Sequence, residues 1–357
     1  MDKRIIDLSE EPARLSVRGE LLVISRCQDK FLRHTDENED HNVGADPRVC
    51  PTHPDEDDDL NANAAPRSRP VKRQKHRVAF AENRQSDPPI ETTVPFADIA
   101  VLVVSHPAVT FTQAVLARLA NAGAAFIACD DRHMPAAMML PLETHFTQTE
   151  RFAQQACAPL PMKKRLWQQI VQAKVRTQAQ VLKEIHGNDW GLTAMAERVR
   201  SGDPDNIEAQ ASRRYWQAIF NDPAFLRDRD GAPPNALLNY GYAVLRAIVA
   251  RAICAAGLHP SLGLHHHNRY DSFCLASDLM EPFRPIVDRT VALYCKEFGM
   301  QTSLDKHAKT EILNALLGRF NLDGEQRTLF DIAARTASSL AAVFANERKD
   351  LILFEDI

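Results

Sequence analysis

The sequence predicts an α+β protein in which a small N-terminal β-sandwich-like domain (1–143) precedes a larger all-α domain (144–357). Three observations carry this. Short β-branched runs broken by Gly, Pro or charge crowd the N-terminal third. From about Thr144 onward, apolar residues recur at three- and four-residue spacing over long segments. A length of 357 residues with 45% apolar content suffices for two cores.

The strands come first. "RIIDLS" (Arg4 to Ser9), "RLSVRGELLVISR" (Arg14 to Arg26, turning at Arg18 to Glu20), "ETTVPF" and "IAVLVVS" read as a hairpin-rich sheet. "TQAVLARLANAG" (Thr112 to Gly123) has helical spacing at Val115, Leu116 and Leu119 and a Gly stop, and "AAFIAC" returns to strand. Between the third strand and "ETTVPF" lies a segment at 33–89 rich in Pro, Asn and Asp, with an acid run followed by "PRSRPVKRQKHR". It has too little apolar surface to offset its ordering entropy, so a disordered insertion is expected, its basic cluster read as a solvated loop.

The helices follow. "MKKRLWQQIVQAKVRTQAQVL" sets Leu166, Ile170, Val171, Val175 and Leu182 on one side, with Lys, Arg and Gln assigned to the other. Further helices are expected at Ile207 to Phe220, Leu237 to Ala256, Pro282 to Phe298, Lys306 to Leu316 and Leu329 to Glu347.

Composition narrows the function. The formal charge is -4, but Asp36 to Asp59 alone carries ten acids against one Arg, which leaves the rest of the chain mildly basic. Seven cysteines without a C-x-x-C pair, and no charged-then-apolar opening segment, point to a reducing cytoplasmic setting. No apolar run approaches the roughly 20 residues of a membrane span, so no membrane role is expected. P-loop, dinucleotide, G-x-S-x-G and zinc-type patterns are all missing from the sequence.

Three stretches can carry chemistry. In "GDPDNIEAQASRRYWQAIF" the Asp-Pro-Asp-Asn turn can cap a helix whose buried side is Ile207, Ala211, Tyr215 and Ile219. Glu208 then sits at the edge of that core, as a partner of the helix dipole or as a functional carboxylate. The run His265, His266, His267 cannot all face one way, so at most one or two converge on a site. In "DLMEPFRP", Asp278 and Glu281 fall on one side of a helical turn that Pro282 interrupts. Paired acids beside a histidine suit Mg²⁺ or Mn²⁺, and the bland alternative is a helix cap with Arg284 as ion-pair partner. A helical glutamate, a loop histidine and a D-x-x-E turn together suit metal-dependent phosphodiester chemistry.

The segment Leu238 to Val291, with "GLHHHN" leading into "LASDLMEPFRP", closely resembles the CRISPR-associated integrase family, the catalytic subunit of the spacer-acquisition complex, in its type II form. "LSVRGELLVI", "MKKRLWQQIVQAKV" and "EAQASRRYWQAIF" extend the likeness over most of the chain. The resemblance implies a metal-dependent DNA endonuclease/integrase that inserts short duplexes into a CRISPR array by 3′-hydroxyl transesterification. It implies Glu208, His266 and Glu281 as the ligands of Mg²⁺ or Mn²⁺, with Asp278 as an additional acid that orients the site. His266 is selected because the family's G-x-x-H pattern puts the ligand third after the glycine. Arg213, Arg214, Arg246 and Arg284 lie near these motifs and are DNA-binding candidates. The implied partners are prespacer and repeat duplexes, a second copy of the chain, a small ferredoxin-like subunit and, in type II systems, the effector nuclease. The implied setting is the prokaryotic cytoplasm. The insertion at 33–89 departs from the family, whose members join those strands by a short turn. The rival readings are a catalytically silent DNA-binding scaffold and a stand-alone nuclease acting on branched DNA in repair.

Overall fold

A computed structural model describes residues 3–26, 89–130, 135–141, 143–228, 231 and 233–354. The insertion expected at 33–89 lies outside the described residues except for Pro89.

The N-terminal part contains two four-stranded sheets. Its elements in chain order are β1 (Arg4–Leu8), β2 (Arg14–Arg18), β3 (Leu21–Arg26), β4 (Ile90–Pro95), β5 (Ile99–Val104), β6 (Thr110–Phe111), α1 (Gln113–Asn121), β7 (Ala125–Cys129) and β8 (Pro135–Met139). β2, β3 and β4 form the expected antiparallel meander, and β6 adds to β2 in parallel. Gly19, at φ +61, is the first residue of the two-residue turn between β2 and β3, where a II′ hairpin needs glycine.

The other sheet corrects the hairpin reading. Its order is β1-β5-β7-β8, and both β1 with β5 and β5 with β7 run parallel. The physical reason is visible in "IAVLVV", a continuous apolar run rather than an alternating one, as a strand buried on both faces requires. Ile99 and Leu102 pack with Leu15, Leu22, Ile24 and Phe96 of the meander side and Val115 and Leu119 of α1. Val101, Val103, Ala125 and Ile127 face the helical core instead.

The helical part comprises α2 (Gln148–Ala156), α3 (Leu160–His186), α4 (Leu192–Glu197), α5 (Ile207–Ile219), α6 (Asn235–Ala255), α7 (Cys274–Leu279), α8 (Arg284–Phe298), α9 (Lys306–Leu316) and α10 (Leu329–Phe344). It is not wholly helical, because β9 (Arg319–Leu322) and β10 (Glu325–Thr328) form an antiparallel hairpin between α9 and α10. Asp323 and Gly324 both take positive φ at its turn, the Asp-Gly signature of a two-residue hairpin.

α6 is the central helix. By length and composition it could cross a membrane, with a mean hydropathy of 1.3 in an 18-residue window, contrary to the sequence expectation. Here 78% of that window is buried by protein, because a helix apolar on every side finds its solvent in the surrounding helices. α8 approaches it so closely that a Cβ on Gly241 would lie 2.4 Å from Val287 Cγ1. Packing against α6 thus places the start of α8, and with it Glu281 and Arg284, over the buried side of α3.

Candidate active site

Glu208 owes its position to a cap. The Asp203 carboxylate accepts from the backbone N–H groups of Ile207 and Glu208, at 2.9 Å each, which satisfies the first turn of α5. Asp203 and Asn206 both adopt positive φ to make this turn. The acid cluster before the helix is therefore a capping device, and Glu208 is presented by it.

His266 stands on a loop folded around Asp278. Asp278, at the end of α7, is completely buried. Its Oδ2 accepts from the N–H groups of Leu264 (2.6 Å) and His265 (3.0 Å), and its Oδ1 from the N–H of His266 (3.2 Å). The same Oδ1 lies 2.5 Å from His266 Nδ1, so the Nδ1 proton faces the carboxylate and Nε2 keeps a free lone pair. This hydrogen bond holds the imidazole above its ordinary pKa. Gly263 makes the loop possible, since a Cβ there would sit 2.1 Å from His266 O and 3.0 Å from Asp278 Oδ2.

The two carboxylates of "DLMEPF" do not face one ligand. Asp278 turns to the loop, whereas Glu281, on the short 3₁₀ turn Glu281–Phe283, turns to α3. There Lys174 Nζ stands 2.6 Å from Glu281 Oε2 and 2.6 Å from Glu208 Oε1. Arg284 Nε lies 2.9 Å from Glu281 Oε1, so the ion pair and the candidate ligand are the same residue. Burial alone favours neutral Glu281, but Arg284 and Lys174 outweigh it and hold its carboxyl below the ordinary glutamate range. Burial likewise disfavours the Lys174 ammonium, and Glu281 and Glu208 reverse that.

Lys174 is the functional residue that sequence reasoning missed. The sequence pattern sets it with the other Lys, Arg and Gln opposite the apolar side of α3, yet Lys174, Thr177 and Gln178 are all buried. The signal was present: Ile170, Lys174, Gln178 and Leu182 recur every four residues, so two polar side chains fall on the apolar face. A lysine there has to meet a carboxylate.

The flanking histidines have separate partners. His265 stacks on Trp167 with ring centroids 4.1 Å apart and planes 4° from parallel. His267 Nδ1 lies 2.5 Å from His265 O. Of the DNA-binding candidates, Arg213 and Arg214 are exposed on α5 beyond Glu208. Arg246 lies 5.3 Å over the Phe273 ring, and together with Arg227 and Arg284 it lines a cavity of about 230 Å³. Arg284 also covers Tyr242 at 4.6 Å, so it serves the interior as much as the surface.

Behind Glu281, Asp288 is buried against the hydroxyls of Tyr215, at 3.1 Å, and Tyr242. Burial pushes its carboxyl up to about 7, although both tyrosines donate to it and Arg284 is near. The native state then keeps a proton that the unfolded chain releases near pH 4. This contribution to stability is complete below about pH 4 and is lost as pH rises through about 7. Asp288→Asn should therefore flatten the decline between pH 5 and 8, by on the order of 2 kcal/mol, as read from urea midpoints at the two pH values.

As they stand, no three His, Cys, Asp or Glu side chains among the described residues converge closely enough to hold an ion. Lys174 takes the space between the two glutamates. The donor set still fits a hard divalent cation. Two carboxylates meet at one cation position, His266 lies near enough to feel both, and Glu281 Oε2 is buried. That oxygen accepts no well-directed hydrogen bond among the described residues, since Lys174 approaches it within 2.6 Å but out of line.

Residues 67–315 match the family model described as CRISPR associated protein Cas1. A CRISPR-associated endonuclease Cas1 from Neisseria meningitidis is 36% identical over 286 residues, which cover 79% of this chain and 91% of the relative. A casposase bound to integration product shares the fold with a TM-score of 0.67 and 16% identity, over 98% of this chain and 92% of its own. A Cas6-RT-Cas1–Cas2 complex aligns with a TM-score of 0.63 and 15% identity, over 99% of this chain and 36% of its own. With the motif from Gly263 to Pro285 folded around Asp278 and Glu281, and with a family match across more than half of the sequence, the chain belongs to the Cas1 family of CRISPR-associated proteins.

Proposed function

We propose that this protein is a metal-dependent DNA endonuclease/integrase of CRISPR adaptation, with Glu208, His266 and Glu281 as ligands of Mg²⁺ or Mn²⁺. The observation that carries the reading is the meeting of Glu208 and Glu281 at one cation position, beside a histidine whose Nε2 is left free by Asp278. When bound, the ion would supply Lewis-acid polarisation of the scissile phosphodiester and stabilise the departing oxygen. The chain's own residues do the rest. Asp278 orients His266, and Arg284 compensates Glu281 while offering positive charge near the phosphate.

The attacking group is the 3′-hydroxyl of the incoming duplex, so the chain needs no nucleophile of its own. Its DNA contacts are assigned to Arg213, Arg214, Arg246 and Arg284. The N-terminal sheets (1–143) would serve assembly, as a homodimer and with the small ferredoxin-like subunit, and 144–357 the chemistry. Support for DNA and for that second subunit comes from the neighbours' descriptions, an integration product and a Cas1–Cas2 complex. A type II effector nuclease is the proposed further partner, and the cytoplasm the proposed setting.

The test is strand transfer of a labelled short duplex with free 3′-hydroxyls into a repeat-containing plasmid, with Mn²⁺ or EDTA and with or without the small subunit. Joining should require the metal and fall by about a thousandfold or more in His266→Ala and Glu281→Ala. DNA affinity should stay within a few-fold of wild type in both, because phosphate contacts are spread over many Lys and Arg. A wild type that binds the duplex but neither joins nor nicks it would replace the enzyme by a scaffold. Nicking of branched DNA without the small subunit, and without joining, would favour a repair nuclease.

A further inference from the structure

We propose that Lys174 is a movable counter-cation that competes with the divalent ion for Glu208 and Glu281, and that Gln178 receives its ammonium when the ion binds. The inference rests on the metal reading above and goes beyond it, because it concerns a residue outside the ligand set.

Three observations meet here. Lys174 Nζ stands 2.6 Å from each glutamate, in the position an ion shared by them would take. Two cations cannot share that position: like charges a few ångströms apart repel strongly where little water screens them. Binding between these carboxylates therefore requires the ammonium to move.

The second observation is where it can go. A cavity of about 170 Å³ adjoins the site, lined among others by Lys174, Gln178, Tyr242, Glu281, Arg284 and Asp288. Arg227 and Arg284 bring two positive charges to it, against the carboxylate of Glu281 and an Asp288 whose carboxyl is pushed up to about 7 by burial, so net charge does not draw a cation in and an acceptor must hold the ammonium there.

The third is an acceptor. Gln178 is 2% exposed, and its Oε1 is buried and takes no hydrogen bond among the described residues. A buried carbonyl without a donor is costly, so its retention calls for a reason. Gln178 is one helical turn beyond Lys174 on the same face of α3, within reach of a flexible four-carbon side chain. In one position the ammonium satisfies two carboxylates, and in the other it satisfies the amide oxygen.

The arrangement sets metal affinity rather than the chemical step. Without Lys174 the two glutamates would repel one another and hold an ion more tightly. With it, they stay paired until an ion arrives, and the ion is released more readily.

The experiment is Mn²⁺ binding to the full chain, followed by electron paramagnetic resonance of free Mn²⁺ and by isothermal calorimetry. Wild type and His266→Ala are compared first. If wild type binds no Mn²⁺ that His266→Ala loses, the metal reading itself fails. If that control holds, Lys174→Met should bind Mn²⁺ about tenfold or more tightly than wild type, and melt lower without the ion. Gln178→Leu should weaken Mn²⁺ binding by about three- to tenfold in the wild-type background and by less than about twofold in Lys174→Met. Equal or weaker binding by Lys174→Met overturns the competition. An effect of Gln178→Leu that is nil, or the same in both backgrounds, overturns the receiving role. Should Lys174→Met fail to fold, Gln178→Leu alone decides, with unchanged affinity against the proposal.

Discussion

Asp278→Ala is expected to lower stability by about 3–5 kcal/mol and to abolish metal-dependent cleavage and joining together. Three backbone N–H groups and an imidazole N–H point at this one buried carboxylate. Removing it leaves those donors without their acceptor; the N–H of buried Leu264 becomes an orphan at about 1–3 kcal/mol, while those of exposed His265 and His266 must turn to water to be satisfied. The loop would then open to find water, carrying His266 away from Glu281. Asp278→Asn separates the two consequences. Its remaining carbonyl can serve one side of the loop, but its NH₂ must face donors on the other, so an intermediate loss of stability is expected. Urea midpoints with an unchanged slope would measure it. Mn²⁺ affinity should fall by about 10- to 100-fold in the same variant, the usual loss when a ligand histidine is no longer oriented. Wild-type affinity in Asp278→Asn would mean that the carboxylate holds the loop and does nothing for the metal.

Gly263→Ala is the second large effect. The added methyl would lie 2.1 Å from His266 O, which no side-chain adjustment can relieve because the obstacle is backbone. The loop must shift by more than an ångström, and the hydrogen bonds to Asp278 cannot survive that movement intact. The expected outcome is a loss of about 1–3 kcal/mol in stability and about a hundredfold or more in strand transfer. DNA affinity should be nearly unchanged, since the residues proposed to grip DNA lie on α5, α6 and α8. A Gly263→Ala protein with wild-type strand transfer would show that His266 is not held by this loop geometry.

Much of this candidate site could be read from two short stretches of sequence. Glu208, His266, Asp278 and Glu281 sit in short motifs whose residue types and spacing are themselves the message. The cap at Asp203 was legible for the same reason, because a helix start is a local event. Local signals were also misread. Asp323–Gly324 announces a hairpin, and the continuous apolar run from Ile99 to Val104 announces a strand covered on both faces. Read by periodicity alone, they are hidden within a helical domain and a hairpin sheet.

The sequence by itself determined the family, the longer helices and most strands of the N-terminal part, and the chemical identity of the candidate ligands, because each depends on residues close together in the chain. Only the tertiary structure decided that Asp278 turns to the loop while Glu281 turns to α3, although they are three residues apart. It alone brought Lys174 between two glutamates from other elements, and left Gln178 beside a cavity without a donor. The physical reason is that an ion pair acts through space, and its strength depends on burial. Neither the meeting of α3, α5 and the turn before α8 nor the dryness of that meeting is written in the spacing along any one of them.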